Sequence, residues 1–86
     1  MSASTVIKER LAELNMTQTE LATAIGTTRQ NLANKMVRDN FSAKELFNIG
    51  SVLKLKLAFK DNTGKEYIIE YVHDEESDSK AVTNDV

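Results

Sequence analysis

The sequence predicts a mainly α fold: four short helices, then a two-stranded antiparallel β-hairpin. Three observations carry this. Apolar residues recur every three or four positions as far as residue 53. Three stretches open on a hydroxyl residue with Glu or Gln three places later, namely Thr17 with Glu20, Thr27 with Gln30 and Ser42 with Glu45. Beyond residue 53 the apolar period falls to two. Eighty-six residues suit one domain, with a core thin enough that each apolar anchor counts.

The first helix is expected from about Ser4 to Asn15, because Ile7, Leu11 and Leu14 share one face. Thr17 opens the second: its hydroxyl can accept from the third amide while Glu20 reaches back. Leu21 and Ile25 face inward, and Gly26 ends the helix because it reaches positive φ without strain. Thr27 is expected to open the third helix with Gln30 as its capping partner, and Leu32 and Met36 as its inward pair. Asn40 and Phe41 form a turn, after which Ser42 and Glu45 open a fourth helix with the stripe Leu46, Ile49, Leu53. Gly50 fits that helix poorly, at a cost of about 1 kcal/mol against Ala.

In the next segment Lys54, Lys56 and Lys60 alternate with Leu55, Leu57 and Phe59, a half-buried strand. Asp61, Asn62, Thr63 and Gly64 make the turn. Tyr67, Ile69 and Tyr71 alternate with Glu66 and Glu70 in the return strand, so lysines and glutamates can pair across the hairpin. From His73 the chain is polar, acidic and aperiodic, and is expected to be disordered. The expected organisation is a helical domain at 1–53, a hairpin at 54–72 and an acidic tail at 73–86.

The net charge of −2 conceals an asymmetry. Residues 1–60 hold nine Lys/Arg against five Asp/Glu, a surplus of +4; residues 61–86 hold two against eight, a deficit of −6. A basic body suits a polyanionic partner, although a mixed surface with a solvated tail has the same charge pattern. Catalysis is not expected. His73 is the sole histidine and no cysteine exists to join it in a metal or nucleophile set. Three scattered glycines make no phosphate cradle, and Asp74, Glu75 and Glu76 lack the spacing of a calcium loop. No cofactor or metal is expected. No apolar run approaches the roughly 18 residues of a membrane span, and Met1 to Thr5 lacks the basic start of a secretory signal. With no disulfide possible, a cytoplasmic location is expected.

Two short helices joined through Gly26 are a helix-turn-helix candidate. Ala22 is small where the helices would cross, and Leu32 falls where the second must meet the core. A plain helical hairpin has the same outline. The outer face of the third helix distinguishes the two. Advancing about 100° per residue from Leu32 puts Gln30 and Asn34 on the far side, flanked by Asn31 and Lys35. Amides suit adenine and Arg suits guanine in a major groove about 12 Å wide. Arg29 lies nearer the inward side but in the first turn, where the helix tip would meet the groove.

The stretch T-Q-T-E-L-A-T-A-I-G-T-T-R-Q-N-L, Thr17 to Leu32, resembles the Cro/repressor (XRE-like) helix-turn-helix family of phages and bacteria. The resemblance covers about residues 4–53 and implies a four-helix, lambda-repressor-like DNA-binding domain. It implies that Gln18 bonds a backbone phosphate and buttresses the reading residues. It implies base reading by Thr28, Arg29, Gln30 and Asn34. Phosphate contacts are implied, by location, at Arg38, Asn40, Ser42 and Lys44, and Asn31 and Lys35 beside the readers are assigned to the backbone with them. The chain departs from the family in two places. Lys35 stands where an apolar residue is usual, so Met36 or the Lys35 stem must cover the core there. A hairpin stands where many members have a fifth helix, as in Cro-like members that dimerise through strands.

An isolated hairpin is marginal in water, so something must cover this one. It can pack back on the helices or pair with a second copy across a two-fold axis. Leu55, Leu57, Phe59, Tyr67, Ile69 and Tyr71 offer more apolar surface than the helical body needs, which favours a homodimer. Dimerisation would set two reading helices about 34 Å apart on a palindromic operator. The expected function is therefore sequence-specific double-stranded DNA binding by a dimeric transcriptional repressor. The rival is a protein-interaction module, such as an antitoxin or phage accessory protein. There the hairpin and tail capture a protein partner, and DNA binding serves autoregulation.

Overall fold

A computed structural model describes residues 1–72. In order it has α1 (Ala3–Glu13), α2 (Gln18–Ile25), α3 (Arg29–Arg38), α4 (Ala43–Val52), β1 (Leu57–Lys60) and β2 (Glu66–Ile69). This is the architecture expected from the periodicities. The acidic tail expected at 73–86, with His73, lies outside the described residues.

Every helix starts on a hydroxyl residue. Ser2, Thr17, Thr28 and Ser42 have extended backbones, and each side chain accepts from an amide in the first turn. Full capping boxes form at Thr17 with Glu20 and at Ser42 with Glu45. At α3 the cap lies one residue later than the expected Thr27. The Thr27 amide is committed to closing α2, donating to the Ala22 carbonyl at 2.9 Å. Thr28 therefore caps, accepting from the Asn31 amide at 3.1 Å, and Gln30 is left out of the cap.

All four helices also end alike. A left-handed residue follows each one: Asn15 (φ 55°), Gly26 (φ 81°), Asp39 (φ 53°) and Lys54 (φ 60°). The next amide bonds back five residues, from Met16 to Leu11, Thr27 to Ala22, Asn40 to Lys35 and Leu55 to Gly50. This is the Schellman closure. It also explains Gly50. A Cβ there would lie 3.1 Å from the Leu55 carbonyl oxygen, so the chain folds back over the one position in α4 without a side chain. Because Lys54 is spent on this turn, β1 starts at Leu57 rather than at the expected Lys54, and Tyr71 lies past the end of β2.

The core is built from one apolar pair per helix: Ile7 and Leu11, Leu21 and Ala22, Leu32 and Met36, Ile49 and Leu53. Leu21, Leu32 and Leu53 are fully buried, and each contributes roughly 1.5–3 kcal/mol through burial. Met36 is buried in this core, and the Lys35 stem lies alongside Leu32 and Ile49.

Two polar ties fix the helix ends. The Ser4 amide donates to Asp39 Oδ1 at 2.8 Å and the Ser4 hydroxyl to the Met36 carbonyl at 2.7 Å, joining the start of α1 to the end of α3. Arg10 Nε donates to the Leu53 carbonyl at 2.9 Å, closing the end of α4.

In the hairpin Leu57 faces Ile69, Phe59 faces Tyr67 and Lys60 faces Glu66. The Asp61 carboxylate organises the turn, accepting from the Thr63 amide and hydroxyl and from the Lys65 amide. These bonds hold the Asp61 carboxyl below its ordinary value, the Thr63 hydroxyl contributing most.

Candidate nucleic-acid interface

The chain from α2 into α3 makes a tight turn because of three adjoining choices. Ala22 is only 1% exposed, and its carbonyl accepts the Thr27 amide that closes the turn. Gly26 takes the left-handed conformation. Leu32 then enters the core and fixes the rotation of α3. With Leu32 and Met36 inward, the opposite side of α3 must face outward.

That side carries the reading set expected from the sequence. Thr28, Arg29, Gln30 and Asn34 are all exposed. Arg29, expected nearer the inward side, is in solvent at the first turn. Gln30 Nε2 donates to Asn34 Oδ1 at 3.2 Å, so the two amides form one exposed unit a helical turn apart. The donation leaves Gln30 Oε1, its second N–H and both Asn34 N–H groups for an outside partner. The Thr28 oxygen caps the helix, and its O–H proton remains available to donate. α3 holds Arg29, Lys35 and Arg38 and no acidic residue, and Lys35 is paired with Glu45, so Arg29 and Arg38 supply the positive charge of its exposed side.

The residues assigned to the DNA backbone are more dispersed. Gln18 is the first residue of α2 and half-buried beside the turn. Asn31, Arg38 and Asn40 are exposed along and just after α3, and Asn31 Nδ2 donates to Thr27 Oγ1 at 3.4 Å. Ser42 is the cap of α4 and Lys44 is exposed in its first turn. Lys35 sits apart from the exposed stripe. Its Nζ is 2.7 Å from Glu45 Oε2 on α4, and its stem lines a small cavity with Ile25, Leu32, Phe41 and Ile49. The ion pair and the Ser42 amide hold the Glu45 carboxyl below its ordinary value, the Lys35 hydrogen bond contributing most.

Sequence reading passed over two features here. One is Asp39, whose carboxylate caps the first turn of α1 and so anchors the far end of α3. The Asp-Asn pair after α3 was its signal, since both residues tolerate the left-handed region. The other is Val37. It lies on the same outer face as Gln30 and Asn34 and is 87% exposed.

The hairpin meets the body near its base. Leu55 packs on the core, and Leu57 and Ile69 are half-buried. Phe59 is 72% exposed, and Tyr67 and Tyr71 are exposed with it. Leu55, assigned to a dimer interface with these residues, is thus occupied by its own chain. Beside the hairpin runs an apolar groove lined by Ala3, Val6, Leu46, Leu57 and Ala58.

Among the described residues no cluster of three His, Cys, Asp or Glu could hold a metal ion, and no helix is long and apolar enough to cross a membrane. No family model matches the chain, and neither a curated protein nor a solved structure matches it.

Proposed function

We propose that the protein binds double-stranded DNA in a sequence-specific manner and represses transcription by occluding a promoter. The carrying observation is the exposed face of α3, where Arg29, Gln30 and Asn34 stand out as base readers, with Asn31 and Arg38 beside them for the backbone, on a helix held by Leu32 and Met36. Amides and guanidinium groups are the side chains that pair with base edges in the major groove. At about 1.5 Å per residue α3 is about 15 Å long, narrow enough to enter that groove. Gln18, Ser42 and Lys44 flank it at the starts of α2 and α4, where helix N-termini favour phosphate. The chain acts by binding alone and catalyses no reaction.

The active species is a homodimer. Phe59 and Tyr67 are exposed among the described residues, and both strands of the two-stranded sheet are edge strands, the kind that pairs with another chain. A second copy on this side gives two α3 helices for a palindromic operator. The same uncovered face favours the second reading, a protein partner in an antitoxin-like or phage accessory role. Light scattering at micromolar concentration separates the two, a dimer mass favouring the first and a monomer mass the second. DNA binding itself is tested by anisotropy with a labelled duplex over a salt gradient. Affinity is expected to fall linearly with log salt; no binding at low salt would defeat the proposal.

A further inference from the structure

Val37 is the most exposed large apolar side chain among the described residues, more so than Phe59 or Tyr71. A lone apolar residue on a surface is ordinary. The position of this one is not. It comes seven residues after Gln30, which places it about 20° round the helix and about 10 Å along it. It therefore continues the line of Gln30 and Asn34, whose exposed side chains are hydrogen-bonding, with half-buried Ala33 one turn before it. Leu32 and Met36 hold α3 in this rotation, and the Ser4 bonds to Asp39 and the Met36 carbonyl hold the end of the helix where Val37 sits. The side chain is thus presented from a fixed point.

The major groove has one apolar feature at its floor, the 5-methyl group of thymine. We infer that Val37 is a specificity-determining residue that packs on a thymine methyl. This rests on the reading of α3 as the DNA-binding helix. With α3 lengthwise in the groove, the thymine lies about three base pairs from the base met by Gln30, at about 3.4 Å per step.

The probe is the tightest 20-base-pair duplex enriched from a random pool by the wild-type protein. Each thymine is then replaced singly by deoxyuridine, which removes only the methyl. At one thymine per half-site the replacement is expected to weaken wild-type binding about four-fold, the size of one buried methyl group. In Val37→Ala that penalty is expected to fall below two-fold. In Arg38→Ala, which loses a charge and no apolar contact, it is expected to persist. Val37 is 87% exposed, so circular dichroism should report an unchanged fold. If no thymine shows a penalty that depends on Val37, this inference is overturned while DNA binding by α3 stands. If no duplex is enriched at all, the DNA-binding reading fails first and this one with it.

Discussion

The Ser4 amide and the Asp39 carboxylate, 35 residues apart, meet at 2.8 Å. The bond ties the positive end of α1 to the residue that ends α3. Asp39→Ala removes the acceptor and is expected to cost about 1 kcal/mol, as loss of a helix cap does. Asp39→Asn keeps an acceptor oxygen and should lose less. Urea unfolding midpoints of the two variants check the order.

Lys54 holds a left-handed conformation, φ 60°, in which a Cβ crowds the following carbonyl. Lys54→Gly is expected to raise stability by up to about 1 kcal/mol, since the relief outweighs the added chain entropy. A thermal midpoint below that of the wild type would contradict this.

Glu45 ionises more readily in the folded chain than in the unfolded one, because Lys35 and the Ser42 amide stabilise its charged form. The unfolded carboxyl titrates near 4.5. Above that value the contribution is fully present; it is lost as pH falls through the lower folded value. Urea midpoints measured from neutral pH to pH 3 should therefore drop less steeply for Glu45→Gln than for the wild type.

Leu32 serves both the core and the orientation of the exposed face of α3. Leu32→Ala is expected to cost about 2–5 kcal/mol. In so small a domain that is enough to leave much of the population unfolded, visible as lost helical circular dichroism.

On the DNA side, Gln30→Ala is expected to cost about 1–3 kcal/mol and to relax one operator position. Arg38→Ala should weaken all sequences alike and lower the salt slope by about one. Competition with duplexes altered at single positions distinguishes these outcomes.

The last three helices were legible because two independent signals coincided at each, a 3.6-residue apolar stripe and a capping hydroxyl, while α1 was legible from its stripe alone and its Ser2 cap was missed. Leu21 and Leu32 needed only the stripe. Where a signal was degenerate, the reading slipped. Thr27 and Thr28 both suit a cap, and the choice fell to the Ala22 carbonyl, which claims the Thr27 amide. Helix ends were harder. Only Gly26 of the four left-handed residues is a glycine, so Asn15, Asp39 and Lys54 looked like ordinary polar positions. Lys54 then lent itself to a strand pattern that starts three residues later, at Leu57. At the candidate site the helical wheel recovered the exposed amides of Gln30 and Asn34. It missed the Lys35–Glu45 pair, since contacts between helices depend on packing that spacing along one helix does not contain.

The most direct measurement is enrichment of a random duplex pool on the full chain at low salt, with Gln30→Ala run in parallel. Recognition through the segment after Gly26 requires an inverted repeat with half-sites about one duplex turn apart, and an altered preference in the variant. A pool that stays random, or an identical preference from both proteins, would contradict it.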